Sequence, residues 1–361
     1  MGAGASAPDH RRALSVTESA RPIRVALIGY GYAGRTFHAP LIHATPGLSL
    51  SVIGSSDPVK VHADLPDVVV APTPREAIAH DVELVVVATP NDTHAVIASA
   101  ALAADKNVVV DKPFTVTLEE ARHVVRTAER RGKLLSVFQN RRWDADFLAI
   151  QALVRDGRLG RVLHFESHID RYRPDVRRRW REQAGPGSGI WYDLGPHLID
   201  QTLHLFGRPS AVSATLVRQR EEAQTDDWAH VVLDYGPLRA ILHCSMLVPG
   251  GTPRLAVHGT RGSWIKHGMD VQERQLTARI APGSADWGAD PVPGVLHDGE
   301  TSTRTEIPVP RGDYREYYAR VRDALLGRGE NPVPPAQALD VMAVLEAARE
   351  SALAGRVMPA F

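Results

Sequence analysis

Short apolar runs alternate with amphipathic stretches through the first 140 residues of the chain. The runs are rich in valine and almost uninterrupted by polar residues, which is typical of strands buried on both faces of a parallel sheet. Six such runs occur, at 23–29, 48–54, 67–71, 83–89, 107–111 and 134–138. Helix-like stretches such as 94–104 and 117–131 lie between them, and Thr117 with Glu120 forms the signature of a capping box. The alternation predicts an α/β region with a doubly wound parallel sheet.

The pattern changes after residue 140. Residues 161–170 alternate, with one side formed by Leu163, Phe165, Ser167 and Ile169 and the other by His164, Glu166, His168 and Asp170. Four further candidate strands follow with hairpin-length gaps, at 211–218, 228–235, 238–247 and 254–265. Helices are predicted at 189–207, 315–326 and 335–353, and a long surface loop at 282–299. This half is predicted to be an α+β unit with a large, mostly antiparallel sheet that is open on one face.

The composition narrows the classes of partner. Among 361 residues, Lys and Arg together number 42 and so do Asp and Glu, so the formal net charge is zero. A neutral chain offers no overall field for nucleic acid or an anionic membrane. No apolar run approaches the ~20 residues that span a bilayer. The one cysteine, Cys244, excludes an internal disulfide and fits a reducing compartment, so we expect a cytoplasmic protein.

The first apolar run ends in glycines, at the point where a helical pattern begins. Gly29 permits a sharp turn, Gly31 lets phosphate approach the backbone, and Gly34 lets the helix pack closely on the strand. Tyr32 and Ala33 lie within the same turn. The alternative is a tight strand-to-helix connection without a ligand. Because five more alternating strands follow, we predict that this turn binds a dinucleotide.

The end of the second strand bears on the choice of cofactor. A carboxylate about 20 residues after the glycines would hold the ribose 2′-hydroxyl of NAD. Ser55 and Ser56 occupy that place instead, and Asp57 comes one or two positions late. A neutral hydroxyl pair does not repel a 2′-phosphate, so NADP is favoured over NAD. Lys60 and Arg35 are candidate partners for that phosphate.

Three further motifs follow predicted strands or open a helix, at 85–95, 108–115 and 191–201. Ligands of open α/β sheets bind outside the carboxyl ends of the strands, so the first two motifs are expected near the glycine turn. In the third, Asp193 and His197 are four residues apart and lie on one face of the predicted helix.

The glycine turn, TPNDTHA, DKP and DLGPHLID, in that order, give the chain a resemblance to the Gfo/Idh/MocA family of sugar and inositol dehydrogenases. The resemblance extends from about residue 22 over nearly the whole chain. The segments FHAPLI, SVFQNRRWDADFL and GPGSGIWYDLGPHLID are similar to the branch that contains the NADP-dependent scyllo-inositol dehydrogenases. The resemblance implies a Rossmann domain followed by a substrate-binding domain.

The resemblance also implies three catalytic residues. Lys112 takes the place of the family lysine that touches the reacting hydroxyl, and Asp193 and His197 take the places of the family aspartate and histidine. We assign His197 as general acid/base, because the pKa of an ordinary imidazole is near neutrality. Lys112 is expected to polarise the hydroxyl and Asp193 to orient substrate and imidazole. Asp111 departs from the family's usual glutamate by one methylene.

Other predicted contacts are less specific. The resemblance places Thr89, Pro90 and Asn91 beside the nicotinamide, with His94 and Lys112 as further cofactor contacts. The alternative for this stretch is helix capping, by Asn91 or His94, or by Asp92 or Thr93. The Lys112–Pro113 peptide is left open between cis and trans. For the substrate we predict contacts from Asn140, Arg142, Trp143, Asp193 and His197, with interdomain packing as the alternative for Arg142 and Trp143.

Each of two polar clusters in the sequence has two competing interpretations. The basic run 171–181 is interpreted as a solvated or salt-bridged segment beside the cleft, with Arg171 or Arg173 as candidate substrate contacts. His164, Glu166 and His168 carry ligand types that suit zinc, but an open sheet face used in subunit packing is favoured. We therefore predict no metal, and a homo-oligomer, either dimer or tetramer, as is common in the family.

These observations predict three segments and one activity. Residues 1–22 form a disordered tail whose MGAGAS start matches an acylation pattern by chance. Residues 23–140 form the dinucleotide-binding Rossmann domain, and residues 141–361 the domain for substrate binding and oligomerisation. The expected activity is NAD(P)-dependent hydride transfer from a secondary hydroxyl of a cyclic polyol or sugar, with scyllo-inositol as the candidate substrate. The alternatives are a sugar dehydrogenase with a tightly held cofactor and a non-catalytic nucleotide-sensing regulator.

Overall fold

Two β-sheets organise the described part of the chain. A computed structural model describes residues 21–361, so the predicted tail lies outside the described residues except for its last two positions. The first sheet has six strands in the spatial order β3-β2-β1-β4-β5-β6, and every neighbouring pair is parallel. Its strands are β1 Ile23–Ile28, β2 Leu48–Gly54, β3 Val69–Ala71, β4 Leu84–Val87, β5 Asn107–Val110 and β6 Leu135–Val137.

The doubly wound sheet predicted from the apolar runs is confirmed. The side chains of Val85, Val86 and Val87 in the middle of the sheet are completely buried, because helices cover both of its faces. These helices are α1 Ala39–His43, α2 Pro58–His62, α3 Pro74–Ala79, α4 His94–Ala103 and α5 Leu118–Arg131. The capping box is also confirmed: the Thr117 hydroxyl accepts from the Glu120 amide, and the Glu120 carboxylate accepts from the Thr117 amide, both at 3.1 Å.

The second sheet has nine strands in the order β14-β13-β12-β11-β7-β10-β9-β8-β15. Only the pair β7 and β10 is parallel, and the other neighbours run antiparallel, as predicted. Its first strands are β7 Val162–Asp170, β8 Ala211–Val217, β9 Trp228–Tyr235 and β10 Leu238–Ser245. They are followed by β11 Pro253–Gly259, β12 Gly262–His267, β13 Gly294–Asp298, β14 Arg304–Ile307 and β15 Met358–Pro359.

Helices cover one face of the second sheet. Helix α7 packs against β10, and α10 packs against both α7 and β8. On β7, Phe165 and Ser167 face these helices and are completely buried, whereas Glu166 and His168 on the other face are only half-buried. The helices of this half are α6 Ala145–Arg155, α7 Ile190–Phe206, α8 Gln272–Thr277, α9 Arg315–Leu325 and α10 Pro335–Ala354.

The structure corrects the sequence prediction in three places. The single strand expected at 254–265 is the hairpin β11–β12, because the chain turns at 260–261. The loop expected at 282–299 contains β13, whose Leu296 lies opposite Trp264 of β12. Helices α6 and α8 and the short strands β14 and β15 were not predicted. In the part of the chain that the structure describes, no helix combines the length and the apolar character needed to cross a membrane.

Candidate active site

A cavity of about 420 Å³ lies where the two halves of the chain meet. Its size is within the range usual for small-molecule sites. One side, which we call the first wall, is formed by Asp111, Lys112, Phe138 and Asn140, which follow β5 and β6. The opposite side, the second wall, is formed by Asp193, Leu194 and His197 of α7 and by arginines of the segment 171–181. Tyr32 and Ala33 of the glycine turn close one end.

The glycine turn has a geometry that only glycine satisfies at two positions. Gly29 has φ of +100°, and a Cβ there would lie 2.5 Å from the carbonyl oxygen of Ala88. A Cβ on Gly34 would overlap the carbonyl oxygen of Gly29, whereas Gly31 faces open space. Residues 32–43 form one helical run whose middle, Gly34–His38, is π-helical. The open backbone at Gly31, before the start of this helix, fits the phosphates of a nicotinamide dinucleotide.

The residues after β2 are the hydroxyl-bearing Ser55 and Ser56, followed by Asp57, whose carboxylate already accepts a hydrogen bond within the protein. The Asp57 carboxylate accepts a hydrogen bond of 2.9 Å from the amide of Lys60 and so caps α2. The Asp57 amide donates to the Ser55 hydroxyl at 3.2 Å, and Ser56 is exposed. Arg35, a predicted phosphate partner, is instead hydrogen bonded to Asp64 at 2.9 Å. Lys60 remains exposed at this strand end.

Lys112 reaches from the first wall to the second. Its Nζ donates to the backbone oxygen of Asp193 at 2.6 Å and lies 3.4 Å from the Asp193 carboxylate. The Lys112–Pro113 peptide is cis. The Asp111 carboxylate accepts from the Lys112 amide at 2.8 Å, so the shorter acid at the family's glutamate position still contacts the lysine backbone. Burial lowers the pKa of Lys112, while Asp193 and Asp111 oppose that effect.

Helix α7 brings Asp193 and His197 to one face. Asp226 fixes the start of this helix, because its backbone oxygen and its carboxylate each accept a hydrogen bond of 2.8 Å, from the Ile190 and Trp191 amides. Asp193 lies 3.4 Å from Arg181 and 3.8 Å from Arg171. Burial by itself would raise the pKa of Asp193, but the surrounding cations, Lys112 first, lower it well below its usual range.

The surroundings of His197 disfavour its charged form, so the near-neutral pKa from which its role was predicted does not apply here. Its side chain is 5% exposed, and its Nδ1 has no hydrogen-bond partner within the described residues. Burial lowers the pKa of His197 far below its ordinary value, and the nearby cations Lys112 and Arg141 lower it further. A neutral ring at the cavity is able to accept a proton.

Two predicted substrate contacts do not reach the cavity. Arg142 is 7% exposed, and its guanidinium is bidentate to Asp200 at 2.8 and 2.6 Å. Trp143 is buried with its ring edge against Tyr317. The tight turn Asn140–Trp143 points successive side chains in different directions, so Asn140 lines the cavity while Arg142 and Trp143 pack inside the protein. The partners of both side chains lie in the second half of the chain, so Arg142 and Trp143 pack within that half rather than between the two halves.

Sequence reasoning missed Arg141, which lines the cavity in their place. Its guanidinium lies 2.7 Å from Glu273 and 3.3 Å from Asp144. Glu273, also missed, in turn accepts a hydrogen bond of 3.2 Å from the Tyr32 hydroxyl. No pattern in the sequence distinguishes Arg141 from Arg142, because the direction of each side chain depends on the short turn that carries them.

The structure corrects one further prediction, which concerns His94 in the stretch TPNDTHA. His94, predicted to contact the cofactor, is 1% exposed and has its ring nitrogens 2.9 Å from the backbone oxygens of Pro113 and Thr89. It therefore links two loops of the site from inside. Asn91 donates to the Gly187 oxygen at 2.8 Å, while its own side-chain oxygen is buried and has no partner within the described residues. Pro90 is exposed beside them.

The histidine cluster of β7 lies on the uncovered face of the second sheet. Both oxygens of the Glu166 carboxylate are in use, with His164 at 2.6 Å and His168 at 2.9 Å. The three side chains thus hydrogen bond to one another. Metal-ligand spacing occurs instead in a neighbouring group, His168, Asp170 and His243, whose ligand atoms lie within 4.8 Å of one another.

Fold and site define the class of protein. A parallel sheet of order 3-2-1-4-5-6 with a glycine turn after its first strand is a Rossmann dinucleotide-binding unit. Residues 23–139 match the family described as an oxidoreductase family with an NAD-binding Rossmann fold, and residues 151–359 match its C-terminal alpha/beta domain. The chain belongs to the Gfo/Idh/MocA family of NAD(P)-binding oxidoreductases. The resemblance noted in the sequence is therefore confirmed.

Several relatives match over almost the full chain. The chain is 53% identical to the uncharacterised oxidoreductase YdgJ of Escherichia coli, covering 91% of this chain and 96% of the relative. It is 42% identical to the NADP-dependent scyllo-inositol 2-dehydrogenase IolW of Bacillus subtilis, covering 91% and 93%. A crystal structure of a protein described as an oxidoreductase from Klebsiella pneumoniae has 53% identity and a TM-score of 0.89, covering 94% and 95%.

Proposed function

We propose that this protein is an NAD(P)-dependent dehydrogenase that oxidises a secondary hydroxyl of a cyclic polyol or sugar. One observation carries the proposal: Lys112 from the first wall meets Asp193 from the second, beside His197 and next to the glycine turn. A buried amine, acid and imidazole in one cavity provide the proton transfers that oxidation of an alcohol requires.

The chain's own residues divide these transfers. The proton of the hydroxyl passes to a ring nitrogen of His197, whose lowered pKa favours the uncharged ring before the transfer but also makes it a weaker base. Lys112 Nζ donates a hydrogen bond to the same oxygen and stabilises its developing negative charge. Asp193 holds Lys112 in place through its backbone oxygen. A bound nicotinamide supplies the hydride acceptor.

NADP is the favoured cofactor in this proposal. Ser55 and Ser56 leave the end of β2 without a negative side chain in the ribose position, and the carboxylate of Asp57 is occupied by the cap of α2. The relative from Bacillus subtilis is described as NADP-dependent. Lys60 is exposed at the same strand end and is the candidate partner for the 2′-phosphate.

The substrate class rests on the relatives and on the site. The relative at 42% identity is described as a scyllo-inositol dehydrogenase, which supports a cyclic polyol or sugar. A non-catalytic, nucleotide-sensing regulator would need no proton relay, so the arrangement of Lys112, Asp193 and His197 favours the enzyme. We further propose that the uncovered face of the second sheet packs against another copy of the chain and that the protein acts in the cytoplasm.

A screen of activity tests the proposal. Purified protein is incubated with inositols and pyranoses in the presence of NADP or NAD, and the near-ultraviolet absorbance of the reduced nicotinamide is followed. We expect turnover with at least one polyol or sugar, faster with NADP than with NAD. Lys112→Met serves as the inactive reference. An absence of turnover across the panel, with intact cofactor binding, would favour the regulator.

A further inference from the structure

The cavity is strongly cationic, although the chain as a whole is neutral. Positive and negative side chains are equal in number in the sequence. Three carboxylates line the cavity, from Asp111, Asp193 and Glu273, against seven cations, from Lys112, Arg141, Arg171, Arg173, Arg177, Arg179 and Arg181. Cations therefore outnumber carboxylates by four. Such an excess in a recess attracts and concentrates anions.

Most of these cations have a carboxylate partner, but two do not. Arg171 and Arg181 share Asp193, and Arg179 is 2.6 Å from Glu182, just outside the cavity. Among the described residues, the guanidinium groups of Arg173 and Arg177 have no carboxylate within 4.0 Å, although the Arg177 backbone amide donates to Glu182 at 3.0 Å. Burial lowers the pKa of Arg173, and Arg171, Arg177 and Arg179 lower it further because like charges crowd it.

The segment that carries these arginines is held in place from behind. The Arg171 amide donates to the Ser245 oxygen at 2.9 Å and the Arg173 amide to the Met246 oxygen at 2.7 Å, which continues the pairing of β7 with β10. Arg220 is buried beneath the segment, 3.1 Å from Glu182, and donates to the backbone oxygens of Arg173 and Asp175. The crowding is thus built into an anchored segment rather than a loose surface loop.

We infer that the substrate carries an oxyanion, either a phosphate or a carboxylate, that binds to Arg173 and Arg177 while its hydroxyl lies at Lys112 and His197. This inference rests on the proposed function and specifies its substrate class as an anionic sugar or polyol. Guanidinium groups match such oxyanions with paired N–H donors. An uncharged sugar would leave the half-buried Arg173 beside the like charges of Arg171, Arg177 and Arg179, without an anion to offset them.

The phosphates of the cofactor are the competing explanation for this charge. They are anions as well, and the glycine turn that would hold them closes one end of the same cavity. The two explanations differ in one respect: an anion site for the substrate persists after the cofactor has bound. The test is therefore made on protein saturated with NADP.

Inorganic phosphate is the first probe. It is titrated by calorimetry into NADP-saturated protein, and we expect saturable binding that weakens as sodium chloride is added. Arg177→Ala should weaken phosphate at least about tenfold, since a charge-assisted hydrogen bond is lost, and Arg177→Lys should retain part of the affinity. Arg155→Ala, which removes an exposed arginine on α6, is the matched control and should change nothing. Binding of phosphate only to cofactor-free protein, or equally to Arg177→Ala, overturns the inference.

The second probe compares sugars of equal shape. Glucose, glucose 6-phosphate and glucuronate are titrated into the same NADP-saturated protein, and the anions are expected to bind at least about tenfold more tightly than glucose. Equal affinities contradict the inference. Selective binding of anions without turnover would leave the inference standing and count against the dehydrogenase. Turnover of neutral polyols without a phosphate site would do the reverse.

Discussion

The two walls of the cavity differ in how they are built and in what they carry. The first wall consists of residues directly after β5 and β6, with the cation Lys112 and the carboxylate Asp111, and the ion pair of Arg141 with Glu273 adjoins it. The second wall combines one face of α7 with the segment 171–181, which contributes five arginines. The first is fixed by a parallel sheet whose strand ends meet at one edge. The second wall depends on the segment 171–181, which follows β7 and is held by backbone hydrogen bonds from Arg171 and Arg173 to the residues at the end of β10.

This difference suggests a division of labour. The first wall stands beside the glycine turn, so its few charged groups suit a chemical step that every substrate shares. The second wall carries nearly all the excess positive charge, so it suits recognition of one class of substrate. Asp193 joins the two walls, because it contacts Lys112 on one side and Arg171 and Arg181 on the other.

The largest effects on activity are expected from two single substitutions, of Lys112 in the first wall and of His197 in the second. Lys112→Met and His197→Ala should each lower kcat by about 10³-fold or more, because His197 takes up the proton and Lys112 stabilises the negative charge that develops on the oxygen. The Kd for NADP, measured by quenching of protein fluorescence, should stay within a few-fold. Lys133→Met, at a half-buried lysine after α5, is the matched control. A parallel loss of cofactor binding would remove these residues from the chemical step.

A smaller effect, with a specific pH signature, is expected for the residue that joins the walls. In Asp193→Asn the negative charge that opposes the burial of Lys112 disappears, so the pKa of Lys112 falls further. Activity that needs protonated Lys112 is lost as pH rises through that pKa. The alkaline limb of the kcat profile should therefore move about one pH unit or more toward lower pH. An unshifted limb with a uniformly lower kcat would indicate a purely structural role.

The preference for NADP over NAD should change when Ser55, which lies outside both walls of the cavity, is replaced by an acid. Ser55→Asp places a negative charge at the end of β2, where it repels a 2′-phosphate but can accept from a ribose hydroxyl. The ratio of kcat/KM for NADP to that for NAD should fall by about tenfold, the result of roughly 1.4 kcal/mol of repulsion. Ser49→Asp, near the start of the same strand, should leave the ratio unchanged. An unaltered ratio in Ser55→Asp would place Ser55 outside the cofactor site.

The smallest effect is expected from a substitution that lowers the stability of the fold without changing the active site. Thr117→Ala removes the capping box of α5, which should lower the free energy of unfolding by about 1 kcal/mol. Kinetic constants should not change, since this cap lies outside the cavity. Urea unfolding followed by circular dichroism measures the difference, with Thr305→Ala, exposed on β14, as the control. A change in KM would show that α5 also positions the first wall.

The sequence located the first wall better than the second. Continuous valine runs indicate strands buried on both faces, and residues after such strands gather at one edge, so the order of elements placed the glycine turn and the motif at 108–115. The family resemblance then singled out Lys112 within that motif. Asp193 and His197 followed from their spacing on one helix. Arg141 was missed, and Arg142 and Trp143 were misplaced, because neighbouring residues of a tight turn have no periodicity that separates inward from outward side chains.

His94 and the β13 strand show the same limit. The position of His94 in the TPN motif suggested a cofactor contact, yet its two ring nitrogens each lie 2.9 Å from a backbone oxygen, in two separate loops. The local sequence does not predict the contact between the His94 ring and the backbone oxygen of Pro113. The strand Gly294–Asp298 lies in a stretch rich in proline and glycine, and only pairing with β12 makes it a strand.

The sequence by itself determined the class of fold, the dinucleotide turn and the identity of the groups able to move a proton, because these depend on short-range pattern and on chemistry that residue types carry with them. Tertiary structure alone decided which arginines enter the cavity and which are neutralised behind it. The reason is physical: charge balance within a recess is set by distances between side chains from different elements, and a neutral total says nothing about how those charges are distributed.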